Sequence, residues 1–127
     1  MGSTEANRLL EERTLAFAVV VVEFVATFPR SPAADVVGRQ LLKSGTSVGS
    51  NYREANRAES RDDFIHKTAV VLKEAAETDY WLELCTRIPL GDSVQRVALC
   101  QEARELLAIF ATINRHAKGR PRREGDQ

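Results

Sequence analysis

Apolar residues recur along this chain with the spacing of helices. Leu9, Leu10, Phe17, Val20, Val21, Phe24 and Phe28 recur at helical spacing on one face, which predicts a first helix from about Thr4 to Phe28, stopped by Pro29. Ser31-Pro32 opens a second, with the hydroxyl as N-cap and proline in the first turn, running to about Arg57. Ser60 followed by Asp63 resembles a capping box with Asp in place of Glu, so a third helix starts there and ends near Ile88-Pro89. Gly91-Asp92 begins the fourth, in which Leu99, Ala103, Leu106, Phe110 and Ile113 repeat by threes and fours. No segment reads as a strand and no internal repeat is visible. Short connections make neighbours antiparallel, so the prediction is an all-α, up-and-down four-helix bundle over residues 1–117. The polar tail at 118–127 (KGRPRREGDQ) is expected to be disordered.

The second helix carries three faces when its residues are placed about 100° apart. Val37, Leu41, Val48, Tyr52 and Ala55 form a core stripe. Beside it lie Gly38, Gly45, Gly49 and Asn56, a bare flank where another helix can come close, inside the bundle or at a subunit contact. Three interior glycines cost roughly 1 kcal/mol each against alanine, so a close contact must offset them. On the far side Arg39, Lys43, Thr46, Ser50, Arg53 and Arg57 fall within about 40° of one line, over a span of about 27 Å. Four cations with few interleaved acids form a candidate phosphate-contacting stripe; the competing reading is a solvated helix face.

The third helix is apolar on two sides. Phe64, Thr68, Val71, Leu72, Ala75 and Leu82 make its core stripe, and Val70, Tyr80, Leu84 and Ile88 lie roughly opposite with Trp81 at the border. A peripheral helix in one bundle buries a single face, so the second set is a candidate oligomer interface.

Composition narrows the function. With 127 residues, 43% hydrophobic and 28% charged, the chain suits one domain with a continuous core. Lys plus Arg equals Asp plus Glu at 18 each, so any polyanion site must come from local arrangement. Cys85 and Cys100 lack CxxC spacing, and no His/Cys/Asp/Glu cluster has metal-ligand spacing, so neither a metal nor a cofactor is expected. The most hydrophobic segment, residues 15–28, is too short to span a bilayer and contains Glu23; it reads as a core helix, and the chain as cytoplasmic. Adjacent acids such as Asp62-Asp63 do not face one another on a helix and make poor catalytic pairs. Arg61 and His66 have the Arg-x4-His spacing of a class of small helical ribonucleases, in which arginine stabilises phosphate charge and histidine moves protons. Arg61 stands at a helix start rather than within a helix, so the enzyme is the alternative and a non-catalytic binding or scaffold protein the leading reading.

The segments at 44–55 (SGTSVGSNYREA), at 63–67 (DFIHK) and from Leu72-Lys73-Glu74-Ala75 to Trp81-Leu82 resemble those of the small four-helix proteins encoded by intervening sequences in bacterial 23S rRNA genes. The family's Asn…Glu signature falls on Asn51 and Glu54. The resemblance implies a pentameric ring with a central channel. It also implies kinship with accessory factors of diversity-generating retroelements, which bind nucleic acid and a reverse transcriptase; such factors are markedly basic, whereas this chain is neutral. Asn51 and Glu54 are expected to hydrogen-bond a neighbouring helix and fix its register.

Overall fold

The structure, a computed structural model, describes residues 4–119. Four helices follow in order: α1 (Glu5–Val25), α2 (Pro32–Ala55), α3 (Arg61–Arg87) and α4 (Ser93–Gly119). Each starts where a short polar side chain takes up an orphan amide. Thr4 Oγ1 accepts from the Asn7 amide at 3.0 Å, Ser31 Oγ from Ala34 at 3.0 Å and Ser60 Oγ from Asp63 at 3.1 Å. At α4 the Asp92 carboxylate accepts from the Gln95 amide at 2.9 Å. The expected reciprocal arm at Ser60 reaches one residue further back, because Asp63 Oδ2 accepts from the Glu59 amide at 3.2 Å. That bond, with Lys67 3.1 Å away, holds the Asp63 carboxyl below its usual range.

α1 stops three residues before the expected end. Its backbone tightens after Val25 into i→i+3 bonds, Thr27 N to Phe24 O at 2.9 Å and Phe28 N to Val25 O at 3.0 Å. Phe28 precedes Pro29, whose ring disfavours helical geometry in the residue before it. At the other end α4 continues through Lys118 and Gly119, two residues into the expected tail; the rest of that tail lies outside the described residues.

Successive helices pack antiparallel, with the whole turning on connections of five or six residues. Gly38, Gly45 and Gly49 of α2 face Val25, Val21 and Thr14 of α1, so residue numbers fall along one helix as they rise along the other. Asn114 near the end of α4 likewise meets Ile65 and Thr68 near the start of α3. α3 lies between α2 and α4 and packs against both, whereas α1 and α4 meet along a sparser seam. Gly91 turns the chain from α3 into α4 at φ +75°, and a Cβ there would stand 2.7 Å from Phe24 Cε1. Thr27 Oγ1 accepts from the Asp92 amide at 2.9 Å, tying this turn to the end of α1.

The core runs through Val21, Phe24, Leu41, Val48, Leu82, Leu106 and Phe110, all essentially inaccessible. The whole expected stripe of α2 is buried, and the Tyr52 and Phe110 rings meet edge-on at 5.2 Å across the bundle. Phe64 and Leu72 are only half-buried, and Leu9 is exposed; their places are taken by Thr78 and Cys85 of α3 and by Thr14 of α1. Buried Asn114 is satisfied by donating its amide to Ile65 O at 3.1 Å and Thr68 Oγ1 at 2.9 Å. No helix among the described residues is long and apolar enough to cross a membrane.

Candidate nucleic-acid and self-association surfaces

The cationic stripe of α2 divides into two environments. Arg39, Lys43 and Arg57 are exposed and have no acid within ion-pair distance among the described residues. Arg53 is half-buried and leans toward α1, with its Nε 3.9 Å from a Glu11 carboxylate oxygen. Thr46 and Ser50, on the same line, turn their hydroxyls back to the helix: Thr46 Oγ1 donates to Leu42 O at 2.7 Å and Ser50 Oγ to Ser47 O at 3.3 Å. Three cations on one solvent-facing line can take phosphate oxygens as point charges and hydrogen-bond donors, with no group arranged to read a base edge.

The glycine flank packs inside the molecule. A Cβ on Gly45 would lie 3.0 Å from both Val21 methyls, and one on Gly49 would lie 2.9 Å from Thr14 Oγ1 and 3.3 Å from its backbone carbon. The close approach that offsets the propensity cost is therefore α1 on α2, not a contact between subunits.

The second face of α3 is also largely used within the chain. Trp81 and Leu84 pack against the core and Val70 is half-buried, because α3 is flanked by two helices rather than standing at the edge. Tyr80, at 62% exposure with its ring edge-on to Trp81, and Ile88 remain open. Asn51 does not reach another helix: its side-chain amide donates to Ser47 O of its own helix at 2.8 Å. Glu54 is exposed, so the expected register lock is not built within the chain.

Arg61 and His66 do not converge. Five residues apart on a helix, they point roughly 140° away from one another. The Arg61 guanidinium donates to Ala117 O through Nε at 3.2 Å and Nη2 at 3.0 Å, closing the C-terminal end of α4, while His66 is exposed. Among the described residues no group of His, Cys, Asp or Glu is placed to hold a metal ion. Cys85 is buried, and burial pushes its thiol up to about 11.

One surface was not legible in the sequence. The run read as a core helix turns Leu15, Val19 and Val22 outward at 48, 51 and 50% exposure. Beside this ridge lies a groove of about 390 Å³ lined by Thr14, Leu15, Ala18, Thr46, Gly49, Ser50 and Arg53. On the other side the α1–α4 seam is clamped by Arg13, whose guanidinium grips Glu102 at 2.7 and 2.8 Å and Glu105 at 2.9 Å. Those carboxylates hold Arg13 more firmly protonated, and Gln101 with Arg13 holds the Glu105 carboxyl below its usual range.

An all-α fold of four sequentially packed helices defines a small helical-bundle protein. The chain belongs to the 23S rRNA-intervening sequence protein family, which matches it over residues 10–112. A solved structure from Bacteroides thetaiotaomicron, described as a protein of unknown function from the S23 ribosomal protein family, is similar to it at 36% identity and a TM-score of 0.76. That match covers 86% of this chain and 97% of the other. No curated protein matches the sequence.

Proposed function

We propose that the protein is a non-catalytic helical scaffold that associates with copies of itself and binds nucleic acid through the outward face of α2. The observation that carries the binding reading is the alignment of exposed Arg39, Lys43 and Arg57 without acid partners among the described residues. Exposed apolar residues on α1 and α3 support self-association, and a ring of five is the state the family resemblance implies. Such a ring would repeat the stripe and multiply weak phosphate contacts into avidity.

Against a ribonuclease stand the divergent directions of Arg61 and His66 and the engagement of Arg61 with the end of α4. Binding should be poorly sequence-specific and steeply salt-dependent. Three phosphates neutralised per subunit give a log–log salt slope of about −2 to −3 per engaged subunit. Fluorescence anisotropy with labelled RNA and DNA tests this. Changing Arg39, Lys43 and Arg57 together to Gln should abolish binding with helicity and mass unchanged. No binding by the parent at about 50 mM salt, or undiminished binding by the triple variant, would reject the stripe. RNA cleavage lost in both Arg61→Ala and His66→Ala would put the ribonuclease first.

A further inference from the structure

We infer that the open cleft between the end of α1 and the start of α2 seats one base of a single-stranded nucleic acid whose backbone lies on the α2 stripe; this rests on the nucleic-acid reading and names its substrate class. The cleft holds about 470 Å³, within the roughly 300–1,000 Å³ of small-ligand sites. Its apolar lining comes from Val25, Phe28 and Pro29 on one side of the turn and from Ala34, Gly38 and Leu42 of α2 on the other. A Cβ on Gly38 would stand 3.1 Å from Val25 Cγ1 and 3.5 Å from Phe28 Cδ2, so any longer side chain there would crowd the cleft. Phe28 is half-buried and its ring is held edge-on to Phe24 at 5.1 Å, which fixes an aromatic wall in place. The charged lining is Arg30, Arg39 and Asp35, all exposed. None of the three has an opposite charge within ion-pair distance among the described residues.

Apolar surface with an aromatic wall, flanked by cations, is the combination that takes a base together with its phosphate. Arg39 belongs to both places: it lines the cleft and it begins the stripe, with Lys43 one turn, about 6 Å, further along. A phosphate on Arg39 leaves its base within reach of Phe28 and Leu42, and a neighbouring phosphate falls to Lys43. Asp35 repels phosphate from the cleft, which keeps the backbone outside and the uncharged base within. The groove beside Arg53 offers neither feature, since its cation leans to Glu11 and no aromatic ring lines it. The base must be free to enter. In a duplex its faces are stacked and its edge is paired, and extruding it costs both. The stripe alone would favour the duplex, whose charge density is higher. A seated base reverses that order, because stacking of one base strengthens binding by about 5- to 150-fold.

Fluorescence anisotropy with three labelled ligands of about 12 nucleotides tests the cleft: a mixed-sequence single strand, an abasic strand of equal charge, and the duplex of the first. The single strand should bind about 5-fold or more tighter than either of the others. Gly38→Leu, which fills the cleft, should bring the single strand down to the abasic level while leaving the salt slope as it was; circular dichroism checks its fold. The abasic comparison uses the parent protein and so stands even if that variant does not fold. An abasic strand or a duplex that binds as well as the single strand overturns the base seat and leaves the stripe standing. A folded Gly38→Leu protein that still prefers the intact strand overturns this cleft as the seat. No binding of any of the three ligands overturns the stripe and the cleft together.

Discussion

The three glycines of α2 should respond to alanine in a graded way that the α1 contact dictates. Removing a helix-interior glycine gains about 1 kcal/mol from propensity wherever the new methyl fits. At Gly49 it does not fit. The Cβ would stand 2.9 Å from Thr14 Oγ1, 3.1 Å from its Cβ and 3.3 Å from its backbone carbon. Thr14 cannot swing aside freely, because it is buried and its hydroxyl donates to Glu11 O at 3.0 Å. Moving α1 instead means an overpacking cost of about 1–3 kcal/mol. The net for Gly49→Ala is then a loss of about 1 kcal/mol, or some 3–5 °C in Tm for a domain of this size. Gly45→Ala meets two methyls of fully buried, χ1-restricted Val21 at 3.0 Å and should come out near neutral or slightly worse. Gly38→Ala meets chiefly one methyl of half-buried Val25 at 3.1 Å, which can give way, so its Tm should rise by about 2–4 °C. Thermal melts followed by circular dichroism read all three. A Gly49→Ala protein melting at or above the parent, or Gly38→Ala losing as much as Gly49→Ala, would refute close α1–α2 contact as the reason for these glycines.

Two further outcomes follow from the core and the seam. Asn114→Ala should cost about 1–3 kcal/mol in chemical denaturation, since it leaves a void and removes the donor that serves Ile65 O and Thr68 Oγ1; an unchanged midpoint would mean that water replaces it without loss. Asp63 and Glu105 are held below their usual values of 3.8 and 4.5, so the stability they add is present above those values and is lost as pH falls through their lower folded ones. Tm should therefore decline on acidification below about pH 4.5, and less steeply in Arg13→Met, which relaxes Glu105; equal slopes in parent and variant would reject the clamp as a source of acid sensitivity.

Much of the fold followed from local signals. Ser31-Pro32, Ser60 with Asp63, and Gly91-Asp92 each mark a helix start through groups a few residues apart, and the Val37–Ala55 stripe is buried as its period implies. The family, too, was legible in motifs within the second and third helices, and it is the family that matches residues 10–112. What escaped the sequence was who packs against whom. Periodicity says that α3 has two apolar sides, but only its place between α2 and α4 shows that Trp81 and Leu84 are spent inside the bundle. The reverse holds for α1, where the period through Phe17, Val21 and Phe24 marks the buried side but the apolar Leu15, Val19 and Val22 beside it do not look like an outer face. Its sparse seam with α4 leaves Leu15, Val19 and Val22 half exposed. Likewise Arg39, Lys43, Arg53 and Arg57 form one line in sequence, and it is the neighbouring Glu11 of α1 that sets Arg53 apart. Side-chain period fixes which residues share a face; the helix that covers that face is chosen by contacts between segments far apart in the chain.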